Sequence, residues 1–130
     1  MPELRRPRRT ETVAEVCDAA VSLVSEAGWL ADDVTRVALA MGEAVANAVE
    51  HGRGDGQGAL CVRLDLDDDV LSVRVSDDGP GLDEDRLRGA ALPDDPMATG
   101  GRGLFILQHV TDDVDVDPSG ALRFTIRAHP

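Results

Sequence analysis

The sequence contains no lysine and no tyrosine, and it has few aromatic residues and few cysteines. All 13 basic residues are arginine, which excludes the P-loop lysine and lysine Schiff-base chemistry. The aromatic residues are Trp29, Phe105 and Phe124, too few for a base-stacking platform that binds nucleic acid. No apolar run approaches the ~20 residues that span a bilayer, and no secretory signal is recognised at the N-terminus. We therefore expect a cytoplasmic protein without membrane contact.

The charge and the cysteines narrow the function classes further. The formal net charge is −12, and an acidic body of this kind repels nucleic acid and anionic membranes. Cys17 and Cys61 are isolated and lack the spacing of metal ligands, so we predict ordinary buried thiols that form neither a disulfide nor a site. The 130 residues suit one domain, predicted over 11–130 and preceded by an arginine-rich segment, 1–10, that is either a flexible tail or a short edge strand.

Helices are predicted in both halves of the chain. Apolar residues at helical spacing predict one helix over about 12–27, and Asp32 or Asp33 offers the N-cap of a second helix that ends near residue 51. Because its segment 37–41 is apolar on every side, we expect the second helix to be buried all round. A third helix is predicted over about 103–110.

Alternating apolar and polar residues predict a sheet with one buried face and one exposed face. One hairpin is predicted from 60 to 76 around an aspartate-rich turn, and another from 114 to 126 around a turn at 118–120. With helices on its buried face, this sheet gives an α+β fold: a two-layer α/β sandwich with a mixed, mostly antiparallel sheet.

The first candidate site lies on the second predicted helix. Glu43, Asn47 and His51 are spaced by four residues, so they share one face of the helix. A carboxylate and an amide one turn apart suit a hard cation such as Mg²⁺ together with a polarised water or hydroxyl. A solvated stripe on an amphipathic helix explains the same spacing, and the pattern leaves both interpretations open.

Two glycine-rich segments form the other candidates, and the irregular segment between them, 82–99, is predicted to be a functional lid. The run Asp77-Asp78-Gly79-Pro80-Gly81 follows a strand and is either a plain turn or a place where Asp77 and the backbone approach a flat ligand. The run Gly100-Gly101-Arg102-Gly103-Leu104 opens a helix, whose free N–H groups attract phosphate; a flexible linker is the other interpretation.

In their order and spacing, the three segments resemble the ATP-binding domain of the Bergerat-fold superfamily, which includes histidine-kinase catalytic domains and gyrase. The run from Glu43 to His51 resembles its N box, Asp77-x-Gly79-x-Gly81 its first glycine motif, and Gly101-x-Gly103-Leu104 its second. Within the superfamily, residues 43–52 are similar to the N box Glu-Ala-Val-x-Asn-Ala-x-x-His-Gly of small anti-sigma factor serine/threonine kinases.

The resemblance implies a role for each matching residue. Asn47 would bind the Mg²⁺ that bridges the phosphates of ATP, and Glu43 would be the general base. Asp77 would accept a hydrogen bond from the adenine amino group. The remaining residues would shape the base pocket (Gly79, Gly81) or hold the phosphates (Gly101, Arg102, Gly103, Leu104).

The resemblance also implies a function and partners. The chain would transfer the ATP γ-phosphate to a serine of a STAS-type anti-anti-sigma protein and would regulate the availability of a sigma factor, without contacting nucleic acid directly. The alternative is a nucleotide-binding regulatory module without catalysis, and the presence of Glu43 favours the enzyme. Homodimerisation is left open.

Overall fold

The structure, a computed structural model, describes residues 3–7, 10–51, 59–77 and 102–129. The lid predicted at 82–99 lies outside these residues. The described elements are the strands β1 (Glu3–Pro7), β2 (Ala59–Asp67), β3 (Val70–Asp77), β4 (Asp113–Val116) and β5 (Leu122–Arg127), and the helices α1 (Thr10–Glu26), α2 (Ala31–His51) and α3 (Arg102–Val110).

The five strands form one sheet in the order β1-β2-β3-β5-β4, and each neighbouring pair is antiparallel. The predicted hairpins are both present. The first turns at Asp68, whose backbone is left-handed with φ 54°, and the second turns at Gly120 with φ 89°. β5 lies between β3 and β4, so the last strand of the chain is in the interior of the sheet. The predicted α+β class is confirmed.

The alternation of the strands determines which side chains enter the core. The inward positions are buried apolar residues: Leu60, Val62, Leu64, Leu71, Val73, Val75, Leu122, Phe124 and Ile126. Helices α1, α2 and α3 contribute residues such as Val16, Met41 and Leu107 to the same core cluster. Burying a side chain of this kind contributes about 1.5–3 kcal/mol, so the core between the sheet and the helices holds the fold together.

The expectation that α2 is buried all round is wrong. Val37, Ala40 and Met41 are fully buried, whereas Ala38 is exposed and the Leu39 side chain is 46% exposed. The reason is that α2 is in the outer layer of a two-layer fold, so only one of its faces meets the sheet and its neighbouring helices. Apolar composition alone does not distinguish this arrangement from a central helix.

The predicted N-cap of α2 is also wrong. The helix begins at Ala31, and the carbonyl of Leu30 accepts the first N–H groups, those of Asp33 and Val34, at 3.0 Å each. The side chain of Asp33 is only 1% exposed because it bonds to groups distant in the sequence. Those tertiary partners, described below, take the carboxylate away from a capping role.

The first strand is held by α1 as well as by β2. β1 pairs antiparallel with β2 at one edge of the sheet. The Thr12 hydroxyl donates to the Pro7 carbonyl at 2.7 Å, and Arg6 forms an ion pair with Glu15. Both contacts join the strand to the first turns of α1.

The two thiols are free, as predicted, but Cys17 and Cys61 are half-buried and not fully buried. Burial, and secondarily the neighbouring Asp18 carboxylate, raises the pKa of the Cys17 thiol. Among the described helices, none is both long and apolar enough to cross a membrane.

Candidate functional site

The strand register defines two ends of the sheet. β3 finishes at Asp77, which is opposite Leu60 at the start of β2. β5 finishes at Arg127, which is opposite Val70 at the start of β3. We call these the Asp77 end and the Arg127 end, and the two helices that carry the predicted site can be oriented against them.

Helix α2 runs from the Arg127 end towards the Asp77 end. Near its start, the Arg36 side chain donates to the backbone carbonyl of Arg127 at 3.1 Å. The remainder of α2, from Arg36 to His51, is about 22 Å long at 1.5 Å per residue. The half of α2 that carries Glu43 and Asn47 is therefore directed towards the Asp77 end.

Glu43 and Asn47 lie on the edge of α2 that faces α3. They continue the row of Arg36 and Ala40, because positions three and four residues apart are neighbours on a helix. Arg36 in this row donates its Nε–H to the carbonyl of Val110, in α3, at 3.1 Å. Both Glu43 and Asn47 are half-buried, so they line the boundary between the helix layer and solvent.

The direction of α3 brings its N-terminal end towards the same place. Its last residue, Val110, is bonded to Arg36, and the chain then enters β4 at Asp113, opposite Thr125. The C-terminal end of α3 is thus at the Arg127 end, and α3 packs along α2. We infer that its first turn lies towards Asn47. The N–H groups of a helix N-terminus attract phosphate.

The structure thus places some of the predicted site residues and not others. It describes the backbone of Asp77 at the end of β3, Glu43 and Asn47 on α2, and the first turn of α3 (Arg102, Gly103, Leu104). Because Arg36 fixes the start of α2 and the end of α3 at the Arg127 end, we infer that these three segments lie towards the Asp77 end. The predictions for Gly79, Gly81 and Gly101, and for the side chains of Asp77, Arg102 and Leu104, lie outside what the structure describes. They stay predictions.

The histidines take no part in this arrangement so far as their side chains are described. His109 is exposed on α3, where its ring lies 4.2 Å from that of Phe105 and its Nδ1 is 2.9 Å from the Phe105 carbonyl. His51 is the last residue of α2.

Asp33, Arg36 and His129 form a polar network at the Arg127 end that was not predicted from the sequence. The Asp33 carboxylate accepts the backbone N–H of His129 at 2.8 Å, lies 2.7 Å from the His129 ring nitrogen Nδ1, and accepts a hydrogen bond from Arg36 at 3.2 Å. Burial alone would raise the pKa of Asp33, but these bonds outweigh it and lower the pKa. The i, i+3 spacing of Asp33 and Arg36 was a signal for their pairing. Nothing local in the sequence indicated His129, whose side chain is 70% exposed.

A groove of about 680 Å³ lies on the outer face of the sheet. Its charged lining residues are Arg63, Asp65, Arg74, Asp113, Asp115 and Arg123. These alternate along their strands with the buried core residues, so the groove is on the side of the sheet away from α2. It is separate from the row of Glu43 and Asn47.

No group of three or more His, Cys, Asp or Glu side chains is placed to hold a metal within the ranges 3–7, 10–51, 59–77 and 102–129. A nucleotide-bound Mg²⁺ does not need such a group. It commonly takes one or two protein oxygens and completes its shell with phosphate oxygens and water. The amide of Asn47, half-buried and beside the carboxylate of Glu43, fits that smaller requirement.

The fold agrees with the comparisons of this chain with known proteins. The sequence profile of the histidine kinase-like ATPase domain matches residues 7–126, and the chain belongs to this family. Membership of the family implies ATP binding. The resemblance noted in the motifs is therefore confirmed for the family.

The relatives are more specific. The chain is 30% identical over 127 residues to the serine-protein kinase RsbW of Bacillus velezensis, covering 92% of this chain and 79% of that protein. A structure of the RsbU and RsbW domains of a Mycobacterium tuberculosis protein matches with a TM-score of 0.61 at 18% identity. The match covers 100% of this chain and 34% of that chain. The mycobacterial sensor histidine kinase MprB matches with a TM-score of 0.57 at 18% identity, over 99% of this chain and 98% of that one. At this identity the two structures show the fold alone.

Proposed function

We propose that this chain is an ATP-dependent serine/threonine-protein kinase of the anti-sigma factor type. It transfers the γ-phosphate of ATP to a serine of a STAS-type anti-anti-sigma protein and thereby regulates the availability of a sigma factor. The observation that carries the proposal is the row of Glu43 and Asn47 on the edge of α2 that faces α3, in a chain similar to serine-protein kinases over 92% of its length.

Asn47 is the residue proposed to hold Mg²⁺ through its side-chain oxygen. When bound, the ion neutralises charge on the phosphates of ATP. The first turn of α3 would supply backbone N–H groups to the phosphates, and Arg102 would add a cationic donor. Together these groups offset the repulsion between a polyanion and a chain with a net charge of −12.

Glu43 is proposed to accept the proton of the attacking serine. The serine oxygen forms a bond to the γ-phosphorus, the bond between that phosphorus and the bridging oxygen breaks, and ADP leaves with the electron pair. The proton of the serine hydroxyl passes to the Glu43 carboxylate. Glu43 lies one turn before Asn47, about 6 Å along the helix axis, so base and metal ligand are side by side.

Nucleotide binding and catalysis can be tested separately. We expect Mg²⁺-ATP to bind to the purified chain in a calorimetric titration, and omission of Mg²⁺ to weaken binding at least ~10-fold, or about 1.4 kcal/mol. Asn47→Ala should bind ATP far more weakly, whereas Glu43→Ala should bind it normally. Asp32→Ala, which removes an exposed carboxylate from the first turn of the same helix, is the matched control.

Transfer is then followed with γ-labelled ATP and a STAS-domain protein from the same genome. Label should appear on a serine of the partner with the wild type and with Asp32→Ala, and not with Glu43→Ala. ATP binding without transfer by the wild type would favour the non-catalytic regulatory module. Unchanged nucleotide binding by Asn47→Ala would refute the assignment of the site.

A further inference from the structure

The guanidinium of Arg36 joins four parts of the fold at the Arg127 end. Its Nε donates to the Val110 carbonyl at 3.1 Å, and its Nη1 donates to the Arg127 carbonyl at 3.1 Å and to the Asp33 carboxylate at 3.2 Å. Its Nη2 donates to the Asp112 carboxylate at 3.1 Å. One side chain of α2 thus holds the end of α3, the connection to β4 and the end of β5.

The surroundings of Arg36 favour a guanidinium over any other cation. The side chain is only 22% exposed, and its acceptors lie around it in several directions. The planar guanidinium has five N–H groups and can donate to all of these acceptors at the same time, whereas an ammonium group cannot. The backbone N–H of Arg127 donates to Asp112 at 2.6 Å; burial alone would raise the pKa of Asp112, but this bond and Arg36 lower it, so the carboxylate stays ionised.

The position of α3 depends on contacts of this kind. A helix of nine residues is not stable in isolation, so its place is set by packing. Leu107 is buried in the core near its middle, and Arg36 holds its C-terminal end. The helix is about 12 Å long, so a tilt of about 10° at the held end moves the first turn by about 2 Å. A misplacement of about 1 Å can cost ~100-fold in a catalytic rate.

We propose that Arg36 is a positioning residue for the nucleotide site: by holding the C-terminal end of α3 against α2, it sets the distance between the first turn of α3 and Asn47. The inference rests on the proposed function, because it requires that the first turn of α3 binds phosphate. Arg36 itself is about 16 Å along α2 from Asn47, so its proposed effect acts through α3 and not through contact with the nucleotide.

The chain offers a matched control for the loss of a bonded arginine. Arg74, on β3, donates to the Asp117 carboxylate at 2.9 Å and to the Ser119 hydroxyl at 3.0 Å, on the outer face of the sheet. Arg74→Gln removes a comparable set of bonds from a place that does not contact α3. Any effect of lost stability alone should therefore appear in both variants.

The experiment compares Arg36→Gln, Arg36→Lys, Arg74→Gln and the wild type in urea unfolding, Mg²⁺-ATP titration and amide hydrogen exchange. We expect Arg36→Gln to weaken Mg²⁺-ATP binding at least ~10-fold and to speed amide exchange in α3 under conditions where the chain remains folded. Arg36→Lys should not restore binding. Arg74→Gln should bind Mg²⁺-ATP as the wild type does, despite lower stability.

Asp112→Asn keeps the inference testable if Arg36→Gln does not fold. It weakens one acceptor of Arg36 and should shift nucleotide affinity in the same direction by a smaller factor. Wild-type affinity in a folded Arg36 variant would overturn the positioning role, and so would an equal loss of affinity in Arg74→Gln. In either case the proposed function would stand as long as Asn47→Ala bound ATP far more weakly than the wild type. If Asn47→Ala bound like the wild type, the proposed function itself would fail, and the inference with it.

Discussion

Replacing Asp117 by asparagine should destabilise the chain strongly, although the substitution changes neither size nor shape. Oδ1 of Asp117 accepts the N–H of Ser119 at 2.9 Å, the Ser119 hydroxyl at 2.5 Å and the N–H of Ala121 at 3.1 Å. Oδ2 accepts Nε–H of Arg74 at 2.9 Å, and the side chain is only 10% exposed. These four hydrogen bonds all come from donors, and through Arg74 the carboxylate joins the second hairpin turn to β3.

The magnitude follows from these bonds. If the amide oxygen takes the place of Oδ1, the amide NH₂ meets the N–H of Arg74, and one charge-assisted bond worth about 1.5–3 kcal/mol is lost. The remaining bonds become neutral and weaker. We expect Asp117→Asn to lower the free energy of unfolding by about 2–3 kcal/mol at pH 7, which for a chain of this length lowers Tm by roughly 6–15 °C.

The contribution of the ionised Asp117 carboxylate to the free energy of unfolding depends on pH. Hydrogen bonds lower the pKa of Asp117 below its unfolded value of about 3.9. The largest effect comes from Ser119 and outweighs burial, which alone would raise the pKa; Arg74 and the backbone N–H groups lower the pKa further. Its contribution is therefore fully present above that value and is lost as the pH falls through the folded-state pKa. The stability difference between the wild type and Asp117→Asn should shrink below about pH 4.

Urea unfolding of both proteins between pH 3 and 7 measures this difference directly. Asp115→Asn is the control, since Asp115 pairs with Arg123 at 2.8 Å but both side chains are 47% exposed, and such pairs contribute about 0–1 kcal/mol. Equal stability of Asp117→Asn and the wild type at pH 7 would refute the reasoning. So would a difference that stays constant down to pH 3.

Three further predictions concern the helices and the glycine that follows α1. Leu107→Ala, at a fully buried position of α3, should lower the free energy of unfolding by about 2–4 kcal/mol in urea unfolding. Leu39→Ala, at a side chain that is 46% exposed, should lower it clearly less. Similar losses in the two variants would contradict the packing described for α2 and α3. Gly28→Ala should destabilise the chain by about 1–2 kcal/mol because Gly28 has φ 87°. Gly42→Ala should stabilise the chain by up to about 1 kcal/mol because Gly42 is inside α2. Among the described residues, a Cβ added at Gly42 meets only the Cys17 Sγ at 4.0 Å. Tm shifts of the same sign for Gly28→Ala and Gly42→Ala would contradict these two predictions.

Much of the local structure could be predicted from the sequence because it depends on neighbours along the chain. The alternation of Leu60, Val62 and Leu64 specifies which face of a strand is apolar, and the hairpin turns are short enough to read directly. The spacing of Glu43 and Asn47 specifies that they share one side of a helix. These periodicities are properties of a helix or strand by itself.

The tertiary structure alone decided which elements become neighbours. β5 lies between β3 and β4, α2 exposes Ala38 and Leu39, and Asp33 bonds to His129 from the far end of the chain. The periodicity of a helix gives its apolar side relative to its own axis, but not the element that covers that side. Contacts such as those of Arg36 with Val110 and Arg127 join residues 74 and 91 positions apart, and they form only when the sheet and the helices pack together.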